Sequence, residues 1–425
     1  MSKTSALTLL QVGALCTATA QAQTVLLSDD FAVDTSSSYT IVGPLPLGGT
    51  QTFAFDYIGA GIPLAPRSAA GTTGGLKLTA NDAAGVIDGV TCFHNTSVSA
   101  PRYRLSVDVW LNFVGSSGTT EHTHIGVGGD GFTHNQYTLP TSGSGSFLAF
   151  TPDGGSASDY RWYRNAALLP QGETEVGLIP ATHPSYLGHG ANADHPFYQA
   201  LFPSPPATIA GSPGNIWTTV TIEVDNSTGV IEFRFDGTLV FQGNFLPPLA
   251  GQVALGLADI FTSISGPTSF TLYDNLVVES LPVGLGTNYC NAVPNSTGVT
   301  GAIRAVGAIE VATNQVTLEA SSLPNNAFGF FLTSRTQGAV NQPGGSQGVL
   351  CLSGGIGRYV APGQIKNTGG TGAFQLALNL TQTPTPTGLV SIAAGETWNF
   401  QAWHRDAVGG AGTSNFTDGL AVTFQ

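Results

Sequence analysis

The sequence predicts an all-β protein of two domains, each a sandwich of short antiparallel strands. Three observations carry that prediction. The stretch Trp217 to Gln242 alternates apolar and polar residues with a period of two. It is broken at Asp225-Asn-Ser-Thr-Gly229 and at Asp236-Gly237, which specifies a meander with one buried and one wet face. Charged residues make up only 9% of the chain against 41% apolar, and Gly, Ser, Thr and Asn dominate the rest, a mixture rich in turn formers and poor in helix formers. At 425 residues the chain exceeds one ordinary sandwich and suits two.

Taken in order, the chain opens with features of an export signal over residues 1–22. Lys3 supplies a positive start, Ala6 to Ala18 is an apolar or small run, and Ala18-Thr-Ala20 and Ala20-Gln-Ala22 offer small-residue cleavage sites, the expected cut falling after Ala22. Leu15 directly before Cys16 is a poor match to a lipidation box. The expected location is therefore secreted or cell-surface. No later segment approaches the ~20 apolar residues of a transmembrane helix.

Val25-Leu-Leu-Ser-Asp-Asp-Phe31 reads as an opening strand, and Leu76 to Thr79 as a short one. Between Tyr103 and Phe113 the odd positions are apolar, so Asp108 and Trp110 fall on the face away from the core. Glu121 to Asn215 reads as long, less regular loops holding six of the eight histidines. Strands resume at Trp217 and continue through Gly251–Leu257 and Ser269–Glu279. Leu281-Pro-Val-Gly-Leu-Gly286 reads as a linker, which sets the domains at 23–282 and 283–425. In the second domain the expected strands are Gln315–Ala320, Phe328–Thr333, Gly348–Leu352, Ala373–Leu380, Thr397–Trp403 and Leu420–Phe424, followed or preceded by turns rich in Gly, Pro and Asn.

Charge and cysteine narrow the function classes. Thirteen Lys and Arg stand against 26 Asp and Glu, a net charge of −13. A chain without a basic stripe is a poor partner for a phosphate backbone, so nucleic acid is excluded as the expected ligand, and anionic membranes are disfavoured for the same reason. After cleavage three cysteines remain. Cys290 and Cys351 lie together in the C-terminal half and form the expected disulfide, whose loop would contribute roughly 3–4 kcal/mol. Cys92 reads as a buried small apolar residue.

Residues ~24–280 resemble the concanavalin A-like lectin/glucanase (LamG-like) jelly rolls of secreted bacterial proteins. The matching segments are LLSDDF, WTTVTIEVDNSTGVIEFRFDGTLV, GQVALGLAD and FTLYDNLVVE. Residues ~285–425 resemble a C-terminal module of uncharacterised secreted bacterial proteins, through GTNYCNAVPNSTG, FGFFLTSRTQG, GGSQGVLCL, GETWNFQAWHRD and SNFTDGLAVTF. The resemblance implies an N-terminal jelly roll joined to a smaller accessory β-sandwich. It transfers no catalytic residue, because that superfamily spans lectins, adhesins, hydrolases and lyases.

Hydrolases of the resembled family carry an E-x-D-x-x-E strand; here Glu223-Val-Asp225 lacks the third acid, so Glu223 reads better as a solvent-facing strand residue. The resembled lyases use His, Tyr and Arg. Gln136-Tyr137, Asp159-Tyr-Arg-Trp-Tyr-Arg164, His122 and His124 supply those types, with Glu121-His-Thr-His124 in the general place of a Gln-x-His strand. His122 and His124 share one side of a strand, about 7 Å apart. With His134, His183, His189 or His195 they could form a transition-metal site, against the plainer reading of hydrogen-bonded loop histidines.

A structural calcium is expected from Asp29, Asp30, Asp274 and Asn275, if the terminal strands lie together; the competing reading is that Asp274 and Asn275 bond backbone at a bulge. For sugar binding the candidate aromatics are Trp110, Tyr160, Trp162, Tyr163, Tyr186 and Tyr198, with core packing as the alternative. In the second domain, Trp398 and Trp403 have opposite parity, so one is core and the other exposed, and His404-Arg-Asp406 reads as a salt-bridged turn. The expected function is an exported, non-catalytic carbohydrate- or surface-binding protein with glycans or cell-envelope components as partners. The alternatives are a polysaccharide hydrolase or lyase using the Glu121–Tyr198 loops, and a structural envelope protein. Open indoles at Trp110 and Trp162 would support sugar binding; their burial would weaken it.

Overall fold

The computed structural model describes residues 24–43, 49–82, 87–114, 120–136, 142–155, 158–165, 168, 177–259, 261 and 268–425. The expected signal, residues 1–22, lies outside them, as does Tyr137. The described chain separates into two compact units, a first that ends at Val283 and also takes in Ser296–Val299, and a second of Gly284–Asn295 and Thr300–Gln425. Among the described residues no helix is long and apolar enough to cross a membrane.

Among the described residues the first unit contains fifteen strands. They are β1 (Val25–Asp29), β2 (Tyr39–Val42), β3 (Thr50–Asp56), β4 (Gly74–Thr79), β5 (Asp88–Val98), β6 (Arg102–Asn112), β7 (Glu121–Gly129), β8 (Ser146–Phe150), β9 (Tyr160–Arg164), β10 (Gly177–Leu178), β11 (Trp217–Asp225), β12 (Val230–Phe235), β13 (Thr238–Asn244), β14 (Gly251–Asp259) and β15 (Phe270–Ser280). One sheet runs β13-β12-β11-β6-β15-β4-β3, with β1 beside β15; the other runs β10-β9-β8-β7-β14-β5-β2. All these neighbours pair antiparallel, and the chain passes repeatedly from one sheet to the other, which makes the unit a jelly-roll sandwich.

The predicted meander forms as β11–β13, with Val220, Ile222 and Val224 buried beside Ile231, Phe233 and Phe235. Odd residues of β6 from Tyr103 to Leu111 face Ile125, Leu148, Leu255 and Leu257 of the other sheet in a single apolar core. Cys92 belongs to that core, where burial pushes its thiol up to about 12. Tyr273 crosses between the sheets: its hydroxyl donates to the Gly256 carbonyl at 2.6 Å.

The region expected to be loops, Glu121 to Asn215, instead supplies three inner strands, β7, β8 and β9. They escaped the period-two test because both faces are covered: β7 and β8 are buried at nearly every position. The same holds for the eleven-residue β5, which has no clean alternation.

The second unit is a smaller sandwich. A sheet containing Thr287–Tyr289, Gly419–Thr423, Thr397–Val408 and Phe328–Ser334 faces a three-stranded sheet of Ala302–Gly307, Val316–Ser321 and Phe374–Ala377. Trp398, Phe400, Phe331, Leu318 and Leu376 form its core. Trp398 is the inward indole, and Trp403 lies half-buried on the opposite face against Phe330. The predicted turn at His404-Arg-Asp406 is corrected: these residues continue the strand to Val408, with His404 fully buried and Asp406 accepting a hydrogen bond from Asn415. Cys290 and Cys351 are disulfide-bonded, Cα atoms 6.1 Å apart.

Candidate functional site

Strand alternation decides which side chains can form a site. On the sheet containing β7, even residues of β7 and β14 and odd residues of β5, β8 and β9 point away from the core. That outer face has a floor of small residues, Gly89, Gly126, Ala149, Ala254, Gly256 and Ala258. Over it stand Thr91, His122, His124, Phe147, Arg161 and Tyr163, joined by His134 from the segment after β7.

The polar groups are connected. The Thr91 hydroxyl lies 3.1 Å from Nε2 of His124 and 2.9 Å from Nδ1 of His134, and its oxygen also accepts from the Asn135 amide. One hydroxyl proton cannot serve both imidazoles, so one ring donates to Thr91 and the other accepts from it. Nδ1 of His124 is buried without a hydrogen-bond partner. Gly256 is required here, since a Cβ at that position would lie 1.9 Å from His124 Nε2.

Burial holds His122 and His124 well below the ordinary imidazole range, and His134 is lowered to about 4, also chiefly by burial. These rings are neutral at pH 7. Arg161 acts on both His122 and Tyr163, and Tyr163 stacks on Phe147 at 4.6 Å. At the strand ends, and by the same parity on the opposite side of the sheet from the histidines, Asp259 is the cross-strand neighbour of both Asp88 and Glu121, all three buried. Asn81 and Thr120 donate to Asp259. Sequence reasoning passed over Thr91 and Asp88; only strand register and the segment returning after β7 bring Thr91 to His124 and His134 and put Asp88 within electrostatic reach of His134.

The predicted metal sets are not assembled. His122 and His124 share a face, as their spacing required. His183 and His195, however, cap the short helical segments Pro184–Tyr186 and Pro196–Leu201, accepting from Ser185 and Phe197 amides. His189 stacks on Phe197 at 3.6 Å. Among the described residues no group of three or more His, Cys, Asp or Glu is placed to hold a metal ion.

For the calcium set, β1 does pair with β15, placing Asp29 opposite Leu276. Yet Asp29 points inward, accepting from Thr35, Tyr39 and the Phe31 amide. Asp30 caps the Ala32 amide on the surface. Asp274 points outward at a bulge where Asn275 takes φ 52°. Tyr57 and Ser68 donate to Asp274, and the Arg67 guanidinium bridges Asp108 and the Asn275 carbonyl. A fixed cation and two hydroxyls thus satisfy the oxygens expected for calcium, and the two faces of the sheet separate Asp29 from Asp274.

The aromatics expected to line a sugar groove are likewise corrected. Trp162 is fully buried, its indole donating to Ser146 Oγ at 2.7 Å. Tyr160 and Tyr198 stack at 4.1 Å inside the core, and Tyr163 and Tyr186 are also buried. Trp110 does occupy the outer face of its sheet, but Tyr57, Ile62, Ala65 and Trp217 cover it and leave 8% exposed. Glu223 is held by Arg102 and Arg104, as a solvent-facing strand residue should be.

No family model and no curated protein matches this chain. Among solved structures, it is similar to a protein of unknown function with a galectin-like fold from Bacillus subtilis, at 9% identity over 60% of this chain and 96% of that one, TM-score 0.36. It is also similar to the potassium-bound carbohydrate recognition domain of Emp46p, at 8% identity over 60% and 95%, TM-score 0.35. A third similarity is to the endo-β-1,4-glucuronan lyase of the fungus Trichoderma reesei, at 12% identity over 61% and 96%, TM-score 0.31.

Proposed function

We propose that the first unit is an exported carbohydrate-binding module, with its ligand held on the outer face of the sheet containing β7. The observation that carries this reading is that Arg161 and His134 stand partly exposed over a floor of glycine and alanine, among the buried His122, His124 and Tyr163. Hydrogen-bonding groups of low net charge beside small residues suit a polyhydroxylated ligand. Arg161 and His134 remain partly exposed and are the groups a polysaccharide meets first. Export agrees with the Cys290–Cys351 disulfide, which persists in oxidising compartments.

A second reading, a polysaccharide lyase, is favoured by one specific feature of the same face. Burial keeps His122 and His124 unprotonated and raises Tyr163, so a neutral imidazole and a protonated phenol stand near a guanidinium. That is a base, an acid and a neutralising cation for abstraction of a proton beside a uronate carboxylate.

The test is retention of the full chain on immobilised neutral and uronate-containing polysaccharides, with product release followed by unsaturated-uronate absorbance. Saturable retention that falls with Arg161→Ala or His134→Ala, without products, is the expected outcome. Products abolished by Tyr163→Phe would establish the lyase. No retention on any polymer would overturn both readings.

A further inference from the structure

The second unit carries a hollow of its own, of about 460 Å³, walled by Asn288, Tyr289, Asn291, Thr300, Gly301 and Asp418. Its size falls within the roughly 300–1,000 Å³ of small-molecule sites. The geometry points to a saccharide subsite here, taking one or two rings of a neutral sugar.

Four features carry the inference. The Tyr289 ring is fixed: its hydroxyl donates to the Cys351 carbonyl at 3.0 Å, and it lies over Gly419, where a Cβ would come within 2.6 Å of the ring. A half-exposed, immobilised aromatic wall offers a flat face at little entropic cost. Asp418 is equally fixed, accepting from the Ile303 amide at 2.8 Å and from Asn288 Nδ2 at 2.7 Å. Asn288 Nδ2 also donates to the Ile303 carbonyl, so the acid and amide form one rigid pair. Each Asp418 oxygen keeps further acceptor capacity for a hydroxyl, and an acid–amide pair supplies both acceptors and donors.

The third feature is what the hollow leaves unused. Asn291 and Thr300 are exposed, and their side chains make no hydrogen bond among the described residues. The fourth is anchoring, since the disulfide at Cys290 ties this wall to Cys351. Among the described residues Asp418 is the only carboxylate or amine in the wall, which favours a neutral polyhydroxylated ligand over a charged one.

The test is nuclear magnetic resonance of the nitrogen-labelled full chain, titrated with glucose, galactose, mannose, N-acetylglucosamine, cellobiose and lactose. At least one sugar is expected to give saturable shifts at the Asn288, Asn291 and Thr300 amides. Asn291→Ala and Thr300→Ala, both exposed and without bonds to lose, each weaken binding about fivefold to tenfold. Arg161→Ala, in the first unit, leaves these shifts unchanged. Absence of saturable shifts with every sugar overturns the inference, as does their survival in the Asn291→Ala/Thr300→Ala double variant. Loss of all sugar binding in Arg161→Ala also overturns it, while leaving the proposed function of the first unit standing.

Discussion

Trp162 occupies the space that a side chain at Gly243 would need: a Cβ built on Gly243 would lie 2.1 Å from the indole. The contact joins β9 of one sheet to β13 of the other. It explains why a tryptophan drawn from a polar, aromatic-rich segment works as core.

Gly243→Ala is therefore expected to destabilise the first unit by about 1–3 kcal/mol through overpacking. Trp162→Ala should cost about 3–5 kcal/mol through the cavity it leaves. Denaturant unfolding measures both. A neutral Gly243→Ala would show that the two sheets part more readily than this contact allows.

The acid sensitivity of the first unit should trace to the histidines beneath Thr91. His134 is lowered to about 4, so the unfolded chain binds the proton first. Stability from this group is fully present above the ordinary histidine range and is lost as pH falls from about 6.5 through 4. His134→Gln should flatten part of that slope, read as melting temperature against pH. An unchanged slope would remove His134 from the account.

Asp418 predicts the opposite sign in the second unit. Burial pushes its carboxyl up to about 6, so the folded state holds the proton more tightly. Its contribution is fully present below the ordinary aspartate range and is lost as pH rises through about 6. The difference in melting temperature between the parent and Asp418→Asn should therefore change between pH 4 and pH 7, with the parent losing ground at the higher pH. A constant difference would sink the assignment.

Breaking the disulfide by Cys351→Ala should lower the stability of the second unit by about 4 kcal/mol, given its 61-residue loop. Calorimetry of the reduced and oxidised chain provides the comparison. Equal melting temperatures would mean the bond contributes nothing to folding.

Replacing Arg67 with Ala should cost roughly 1–3 kcal/mol. It strips a charged partner from Asp108, which is wholly buried, although Thr219 and Asn275 continue to donate to it. Equilibrium unfolding at neutral pH gives the value. A stability equal to the parent would show that water replaces the guanidinium.

What the sequence determined by itself is local and periodic. Val220-Thr-Ile-Glu-Val224 and Ile231-Glu-Phe-Arg-Phe235 had to form strands with one buried face, because a period of two leaves no other way to bury those side chains. The parity of Trp398 and Trp403, and the shared face of His122 and His124, followed from the same rule. The tertiary structure alone decided which outer faces would be covered. Strands such as β5 and β8 carry apolar residues on both faces and show no alternation to read. Whether Asp29 meets Asp274 depended on a bulge at Asn275 and on opposite faces of one sheet. Whether Thr91 meets His124 and His134 depended on the register of β5, β14 and β7 and on a returning loop. Periodicity assigns a side chain to a face, but non-local strand pairing and loop closure decide what stands opposite it.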